Sequence, residues 1–474
     1  MGQAPSIETL SRDVASDTPV TEARDRASLA IGPQPPVRPR SAAHFGLNLL
    51  ALAGGLLALY GAAVVDRSGA FVALAGCAAV AVIVIAGEKW WLRTGLAAST
   101  GLRDRPVRPL RIGRVATRFA GLLLTLALVA CAYFLFPEYH GSFYGPFWRF
   151  LGIAFDWPYL SLRGVVPWLL LLAPAYFAWT DRHLIEAEDA YWEMGALLHP
   201  GHWRKANWAL LRAHAMAWGV KAFFLPLMVV YLDQHLRSLA GATRLLSDDG
   251  MRLYQFFFDL SYAVDVLFCV VGYTLTLRIF DSHIRSTEPT AFGWMIALVC
   301  YQPFYSVIGT DYLMYDDRIY WDNWLAPFPS LRLAWGAAIV ALLVLYSLST
   351  VAFGLRFSNL THRGIITDGP YRYSKHPAYL AKNLSWWLIS VPFISDQGFA
   401  HGLRDCCLLG LVNLVYFLRA RTEERHLGRD PAYVAYALWM EEHGLLRPVT
   451  RLLPFLRYRA PIAAGGLTAG ARVA

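Results

Sequence analysis

The sequence predicts an all-α protein, a polytopic transmembrane bundle of about ten helices. Of its 474 residues, 56% are hydrophobic and only 16% are charged, whereas about a quarter of the residues in a soluble domain are charged. Apolar runs of roughly 18 residues or more recur, and each is long enough to cross a bilayer as a helix. Basic residues cluster in alternate loops between these runs, as they do in cytoplasmic loops. The net charge of +9 therefore reflects membrane orientation and does not indicate a nucleic-acid partner.

The chain begins with a polar, proline-rich stretch, residues 1–43. It lacks the basic start and apolar core of a signal peptide, so we predict a disordered cytoplasmic tail. The predicted N-terminal transmembrane region, residues 44–330, opens with a hairpin of helices at 45–65 and 70–87. In the loop after this hairpin, the stretch from Arg93 to Arg118 has a single acid, Asp104, against seven arginines: Arg93, Arg103, Arg105, Arg108, Arg111, Arg114 and Arg118. This excess indicates that the loop and the amino terminus are cytoplasmic.

Five more spans are predicted in this region, at 119–136, 165–179, 212–232, 256–277 and 291–308. Residues 181–211 are amphipathic and rich in tryptophan, so we predict that they lie on the membrane surface. Lys221 and Asp265 fall in the middle of two neighbouring spans. Ionisable groups at that depth are usually paired, and the sequence predicts a Lys221–Asp265 pair. A proton or ion pathway is the alternative, but the two halves of the chain show no matching broken helices.

The predicted core, residues 331–450, contains three spans at 331–350, 377–394 and 403–417. The acidic loop before it suits the outer face, so the first and third of these spans end on the cytoplasmic side. The basic carboxy-terminal tail, residues 451–474, would face anionic lipid. We expect both termini to be cytoplasmic and the membrane to be a bacterial inner membrane.

A first motif, GIITDGPYRYSKHPAYLAKN, occupies residues 364–383. Gly369 and Pro370 predict a tight turn, because glycine tolerates positive φ and proline fixes its own φ. Pro377 disfavours a helical His376 and suits the first turn of the next helix. The free N–H groups at that helix start would suit an anionic or polar ligand group. An interfacial turn with Tyr and Lys anchors is the alternative reading of this stretch.

A second motif, RARTEERHL, occupies residues 419–427. Arg419 and Glu423 are four residues apart on a helix and so share a face, whereas Glu424 points about a quarter-turn away. A surface ion pair worth about 0.3–0.5 kcal/mol is the alternative. An arginine can grip a carboxylate with two bonds, and a glutamate can accept from ribose hydroxyls or an amino group. With the rigid Tyr/His turn, this pair predicts a pocket for a zwitterionic nucleoside cofactor.

The two motifs together resemble the isoprenylcysteine carboxyl methyltransferase family and the related phospholipid methyltransferases. The resemblance covers roughly residues 355–450 and implies an integral membrane enzyme that uses S-adenosyl-L-methionine. It also implies which residues form the cofactor pocket: Arg363, Gly364, Ile365, Ile366, Tyr371, His376, Pro377, Ala378, Tyr379 and Glu423. The usual Arg before His-Pro is Lys375 here, and a usual Gly is Ala381, followed by Lys382. Because a lysine cannot form the bidentate grip of an arginine, these departures put a prenylcysteine substrate in doubt.

The sequence therefore predicts an S-adenosylmethionine-dependent methyltransferase acting on a lipidic or prenylated acceptor at the cytoplasmic face. Arg419 or Lys375 would position a substrate anion, and His376 would shape the loop or act as general base. One alternative is an NADPH-dependent membrane reductase of a sterol-like or polyprenyl double bond, which shares a similar turn. Another is a non-catalytic membrane protein whose helices bind a partner or lipid. The six cysteines fall in apolar segments without zinc spacing, so no metal site is predicted; the oligomeric state stays open.

Overall fold

The computed structural model describes residues 37–65, 69–156, 159–162, 165–242 and 250–459. All of these except Val37 belong to one compact unit, Arg38–Ala474. The predicted tails therefore lie largely outside the described residues, at 1–36 and 460–474, as does the turn at 66–68. The division into an N-terminal region and a carboxy-terminal core remains a prediction.

The described residues are mostly helical, which agrees with the all-α prediction. Two short antiparallel pairs of strands accompany the helices: β1 (Ile153–Asp156) with β2 (Tyr159–Leu162), and β3 (Ser286–Thr287) with β4 (Thr361–His362). The α-helices are α1 (Phe45–Val65), α2 (Gly69–Ala86), α3 (Ile112–Leu135), α4 (Gly145–Leu151), α5 (Val165–His183), α6 (Ala190–Ala196), α7 (Trp208–Gly241), α8 (Met251–Thr274), α9 (Ala291–Leu298), α10 (Phe304–Val307), α11 (Trp321–Trp324), α12 (Pro329–Val351), α13 (Pro377–Ser390), α14 (Phe399–Leu427), α15 (Pro431–His443) and α16 (Arg447–Leu452).

Six helices in the described part of the chain are long and apolar enough to cross a membrane. They are α1, α2 with its continuation to Trp91, α3, α7, α8 and α12. Apolar side chains such as Leu57 and Trp168 remain exposed on the outside of the bundle, as expected where lipid replaces water. These helices support an integral membrane protein, but the predicted number of about ten spans is not confirmed.

The other four predicted spans have identifiable local causes for falling short. The span predicted at 291–308 is broken into α9, α10 and the π-turn Ile308–Tyr312, with Pro303 between α9 and α10 unable to donate a helical bond. Helix α13 has 14 residues and is therefore about 21 Å long. This is shorter than the hydrocarbon core of a bilayer, which is about 30 Å thick. Helix α5 ends in the polar residues Asp181, Arg182 and His183, and α14 carries charged residues near both ends.

Loops that are distant in sequence meet at one end of the bundle, which we call the basic end. Ala42 N donates to Ile365 O (2.9 Å), and Arg103 N donates to His183 O (2.9 Å). Strand β3 in the loop after α8 pairs with β4 in the loop after α12. Residues of the arginine-rich loop, of the first motif and of the loop after α8 therefore lie on the same side of the fold, as the alternation of basic loops predicts.

Helix α8 lies in the core, packed against α7, α12 and α2. Its Asp265 accepts hydrogen bonds from Tyr346 Oη (2.8 Å) and from Thr350 Oγ1, both on α12. Lys221 instead lies 3.3 Å from the centroid of the Trp218 ring and 3.4 Å from Thr276 Oγ1. The predicted Lys221–Asp265 pair is therefore wrong: a hydroxyl pair satisfies the carboxylate, and an aromatic ring faces the ammonium.

Candidate active site

Two adjoining cavities open near the basic end, between the two sequence motifs. Cavity A is a partly open space of about 630 Å³, lined from Tyr346 and Thr350 on α12 to Tyr371 and His376 in the turn before α13. Cavity B is a partly open space of about 430 Å³, lined by Glu288, the start of α9 and the end of α14. Five residues line both cavities: Ser358, Asn359, Tyr379, Arg419 and Glu423. The two cavities therefore share one wall.

The turn that borders cavity A has a backbone that its sequence dictates. Gly369 has φ +60°, and a Cβ there would lie 2.7 Å from a ring carbon of Phe45, so the position requires glycine on both counts. Pro370 follows in the short 3₁₀ turn Gly369–Arg372, and Pro377 is the first residue of α13. Two prolines and one left-handed glycine thus hold His376 and Tyr379 in place.

The shared wall is built where the two motifs touch. Tyr379 Oη donates to Glu423 Oε2 at 2.8 Å, and the His376 ring stacks on the Tyr379 ring with centroids 5.5 Å apart. In the part of the chain that the structure describes, no hydrogen bond reaches the other carboxylate oxygen of Glu423. The glutamate therefore keeps bonding capacity toward the cavities.

Arg419 lies in the same wall and is held by neutral groups. Its Nη2 donates to Asn359 Oδ1 at 2.6 Å, and its guanidinium lies 5.1 Å from the Tyr379 ring centroid and 5.4 Å from that of Tyr301. It forms no ion pair with any residue of the described ranges, Glu423 included. A buried arginine held by rings and one amide keeps N–H groups and a full positive charge for a ligand.

Glu424, next in sequence to Glu423, faces a different set of side chains. Its carboxylate lies 2.9 Å from Lys375 Nζ, 2.9 Å from Arg421 Nη1 and 3.3 Å from His376 Nε2. Burial raises the pKa of Glu424, but the hydrogen bonds and charges of His376 and Lys375 outweigh it and bring that pKa to about 2. We call Glu424, Lys375, Arg421 and Glu441 the clamp, since Lys375 also reaches Glu441 Oε1 at 3.0 Å.

The predicted site residues therefore divide into two groups. Those that line cavity A are Tyr371, His376, Ala378, Tyr379, Arg419 and Glu423. Those that line neither cavity are Lys375, Pro377 and the approach segment Arg363, Gly364, Ile365 and Ile366. Direct contact of either group with a cofactor remains a prediction.

The approach segment supports the turn from below. The buried Arg363 donates to the backbone carbonyls of Gly272 (2.9 Å), Phe357 (2.5 Å) and Ser282. Gly364 has φ +120°. Ile365 packs against a cluster that includes Tyr436, and Ile366 packs on another that includes Ala352. These contacts fix the loop that leads into the first motif.

Several lining residues were not predicted from the sequence. Lys382 and Tyr416 follow the helical spacing of Tyr379 and Arg419, three residues away in each case, so periodicity alone indicates their face. Glu288 and Tyr301 come from the N-terminal region, far from either motif in sequence. No local pattern connects them to the site.

Within the described residues, no group of three or more His, Cys, Asp or Glu side chains is arranged to hold a metal ion.

Comparison with known proteins finds no matching curated protein and no matching solved structure. The model of the isoprenylcysteine carboxyl methyltransferase (ICMT) family does match, over residues 331–429. The matched segment runs from α12 to just beyond α14 and contains both motifs, whereas Glu288 and Tyr301 lie outside it. The family implies a methyltransferase, and with the six apolar helices a membrane-bound one. Residues 331–429 of this chain carry the sequence pattern of the isoprenylcysteine carboxyl methyltransferase family.

Proposed function

We propose that this protein is an integral membrane methyltransferase that uses S-adenosyl-L-methionine to methylate a lipidic or prenylated acceptor at the cytoplasmic face. The observation that carries this proposal is the hydrogen bond between Tyr379 and Glu423. It joins the two motifs on the wall of cavity A, which Tyr379 and Glu423 both line. The family match over residues 331–429 supports the same chemistry.

The side chains of cavity A suit a nucleoside cofactor. Glu423 offers a carboxylate oxygen to ribose hydroxyls, and Tyr371 and Tyr379 offer ring faces to an adenine. Ala378 lies in the first turn of α13, where backbone N–H groups are free. Arg419 and Lys382, both on the cavity wall, suit the carboxylate of the methionine part. These side chains support binding of the ribose, the adenine ring and the carboxylate of S-adenosylmethionine.

The reaction is an in-line displacement. S-adenosylmethionine supplies an electrophilic methyl carbon; the acceptor's lone pair forms the new bond while the electrons of the carbon–sulfur bond pass to sulfur, which leaves S-adenosylhomocysteine. The protein's part is to hold the reacting atoms about 3–3.5 Å apart and aligned. The clamp would keep the turn rigid during the approach.

The distribution of basic residues is the reason why this proposal places the site at the cytoplasmic face. The arginine-rich loop after α2, the first motif and the loop after α8 meet at the basic end, and cytoplasmic loops collect Lys and Arg. The cofactor would then enter from the cytoplasm, and a lipidic acceptor would enter between helices. We expect the amino and carboxyl termini on this side, and a bacterial inner membrane as the location.

The other two interpretations have less support. A non-catalytic protein would have side chains filling the space between Tyr371 and Glu423, but both residues line an open cavity. No contact in the cavity favours NADPH over a methyl donor. We therefore retain the methyltransferase as the single proposal.

The test compares wild-type protein with Glu423→Ala, using tritiated S-adenosylmethionine and a membrane lipid extract. Glu442→Ala is the matched control, because Glu442 is exposed and lines neither cavity. We expect Glu423→Ala to lower label incorporation and S-adenosylhomocysteine affinity by about ten- to a hundredfold, the loss of a charge-assisted hydrogen bond. The control should match the wild type. Equal incorporation by wild type and Glu423→Ala would contradict the proposal.

A further inference from the structure

Cavity B has a wall that neither the family match nor the sequence motifs assign. Its Glu288 precedes α9 and lies outside residues 331–429. Glu288 is only 3% exposed. The side chain packs so closely against Gly293 that a Cβ there would collide with it. The N-terminal region thus places the Glu288 carboxylate at the edge of the candidate active site.

Glu288 forms no salt bridge in the described part of the chain; burial lowers the pKa of the nearby His426 more than the charge of Glu288 raises it. Its Oε1 accepts from Thr290 N at 3.0 Å and from Thr290 Oγ1, and no described group bonds its Oε2. A buried carboxylate that lacks a counter-charge is costly. The positioned oxygen is therefore a site where a ligand would be stabilised.

Two further acceptors lie on the same cavity. Thr361 Oγ1 is buried without a hydrogen-bond partner among the described residues, and it belongs to β4, which lines cavity B. Glu423 has its second oxygen unbonded on the shared wall, and the two lone pairs of that oxygen can accept from the ribose in cavity A and from a ligand in cavity B. Cavity B thus offers three oxygens that lack donors: one each from Glu288, Thr361 and Glu423.

A ligand that satisfies three acceptors must bring several donor hydrogens. Arg419 also lines cavity B, but the methionine carboxylate of the cofactor would neutralise it, so Glu288 and Glu423 leave this wall negative and favour a cationic ligand. A primary ammonium has three donors in a compact group and no acceptor. Neutral alcohols bring one donor, and an acid brings negative charge against Glu288. An amine-bearing ligand is therefore the chemistry that this wall selects.

We propose that cavity B receives the amino group of the methyl acceptor, and that Glu288 is the residue that selects it. The proposal rests on the proposed function and makes the product an N-methylamine. The ammonium loses one proton to the Glu288 carboxylate and from there to water. The free nitrogen lone pair then forms the bond to the methyl carbon while the carbon–sulfur electron pair goes to sulfur. The nitrogen of the product carries one methyl group in place of one proton.

The first test measures binding without turnover. Purified protein in a neutral detergent is titrated with dodecylamine, dodecanoate and dodecanol, and tryptophan fluorescence is recorded. Trp294 is a reporter at the site, since its indole Nε1 donates to Glu288 O at 2.8 Å. We expect the wild type to bind the amine at least tenfold tighter than the acid or the alcohol, and Glu288→Gln to lose this preference.

The matched control is Glu193→Gln. Glu193 is also buried, at 5% exposure, but it binds His202 and Asn207 and lines neither cavity. It should keep the amine preference. Thr361→Val is the second variant, which keeps the charge of Glu288 and should weaken amine binding about fivefold even where Glu288→Gln does not fold. Wild type without amine preference, or a Thr361→Val and a folded Glu288→Gln that both retain it, overturns the proposal.

A second arm separates this inference from the proposed function. S-adenosylhomocysteine binding is measured for the wild type and for Glu288→Gln; no binding to the wild type contradicts the methyltransferase itself. Label from tritiated S-adenosylmethionine is then treated with alkali, which releases methanol from methyl esters but leaves N-methyl groups intact. Alkali-stable product from the amine supports the role of Glu288. Alkali-labile product alone leaves the methyltransferase standing and overturns the amine acceptor.

Discussion

The end of α14 presents two faces that use the same residue types in opposite ways. The cavity face carries Arg419 and Glu423, whose polar groups keep unused bonding capacity. The clamp on the other face carries Glu424, which contacts the Lys375 ammonium, the Arg421 guanidinium and the His376 ring. Glu423 and Glu424 are adjacent in sequence but differ in whether neighbouring side chains use up the bonding capacity of the carboxylate. The difference teaches that a buried charge with spare capacity indicates ligand binding, whereas a saturated one indicates structure.

The largest expected effect is on the clamp. Glu424→Ala removes the carboxylate that Arg421 binds and one of the two that Lys375 binds, and these partners are only partly buried. We expect a cost of about 3 kcal/mol, at the lower end of the range for a broken buried pair. We expect a lower melting temperature in detergent, measured by intrinsic fluorescence. The same substitution at the exposed Glu442 should leave the melting temperature unchanged. An unaltered melting temperature in Glu424→Ala would mean that the clamp does not hold the turn.

Acid should open the clamp in a defined window. The pKa of Glu424 in the folded protein is about 2, below its ordinary value of 4.5, because cationic neighbours outweigh burial. A depressed carboxyl pKa contributes stability above the ordinary value, which is lost as the pH falls toward about 2. The loss amounts to about 3 kcal/mol. Melting temperatures between pH 5 and pH 3 should fall more in wild type than in Glu424→Gln, and parallel curves would contradict the assignment.

At the cavity face we expect the opposite balance: a substitution should lower cofactor affinity more than it lowers stability. Glu423→Gln keeps the shape but removes the charge, and we expect S-adenosylhomocysteine affinity to fall about tenfold, or about 1.4 kcal/mol. Its melting temperature without ligand should change little, since Glu423 accepts one side-chain bond, from Tyr379, among the described residues. Isothermal titration and thermal melting of the same sample check both halves. A large loss of stability with intact affinity would assign Glu423 to structure.

The smallest effect is expected from Tyr379→Phe. It removes the single hydroxyl bond to Glu423 and keeps the ring that stacks on His376, so the cost is about 1 kcal/mol. Cofactor affinity should fall about fivefold in the same titration. An effect as large as that of Glu423→Gln would show that the hydroxyl itself contacts the ligand.

Local chemistry along the chain predicted much of this site. The turn at Gly369 and Pro370, the start of α13 at Pro377 and the shared face of Arg419 and Glu423 all depend on residues a few positions apart. The predicted approach of Tyr379 to Glu423 is observed at 2.8 Å. Each of these features follows from turn geometry or helical spacing, which neighbouring residues dictate.

Two predictions failed or stayed incomplete where packing decides. The sequence put Lys221 and Asp265 at similar depth, but the rotation of α7 and α8 turned Asp265 to Tyr346 and Thr350 and Lys221 to Trp218. Arg363, expected at the cofactor, donates to backbone carbonyls of the loop beneath it. Depth along a span can be counted from sequence, whereas the direction in which a side chain faces depends on its neighbours.

The sequence by itself determined a membrane protein with apolar helices, basic loops on one side and two motifs that approach each other near the membrane surface. Hydropathy, charge alternation and turn chemistry are local properties, so the sequence is enough to read them. Only the tertiary structure decided that Glu288 and Tyr301 from the N-terminal region complete the walls of the cavities. It also decided that Glu424 is saturated while Glu423 is not. Contacts between residues far apart in sequence arise from how helices pack, and no period along the chain encodes them.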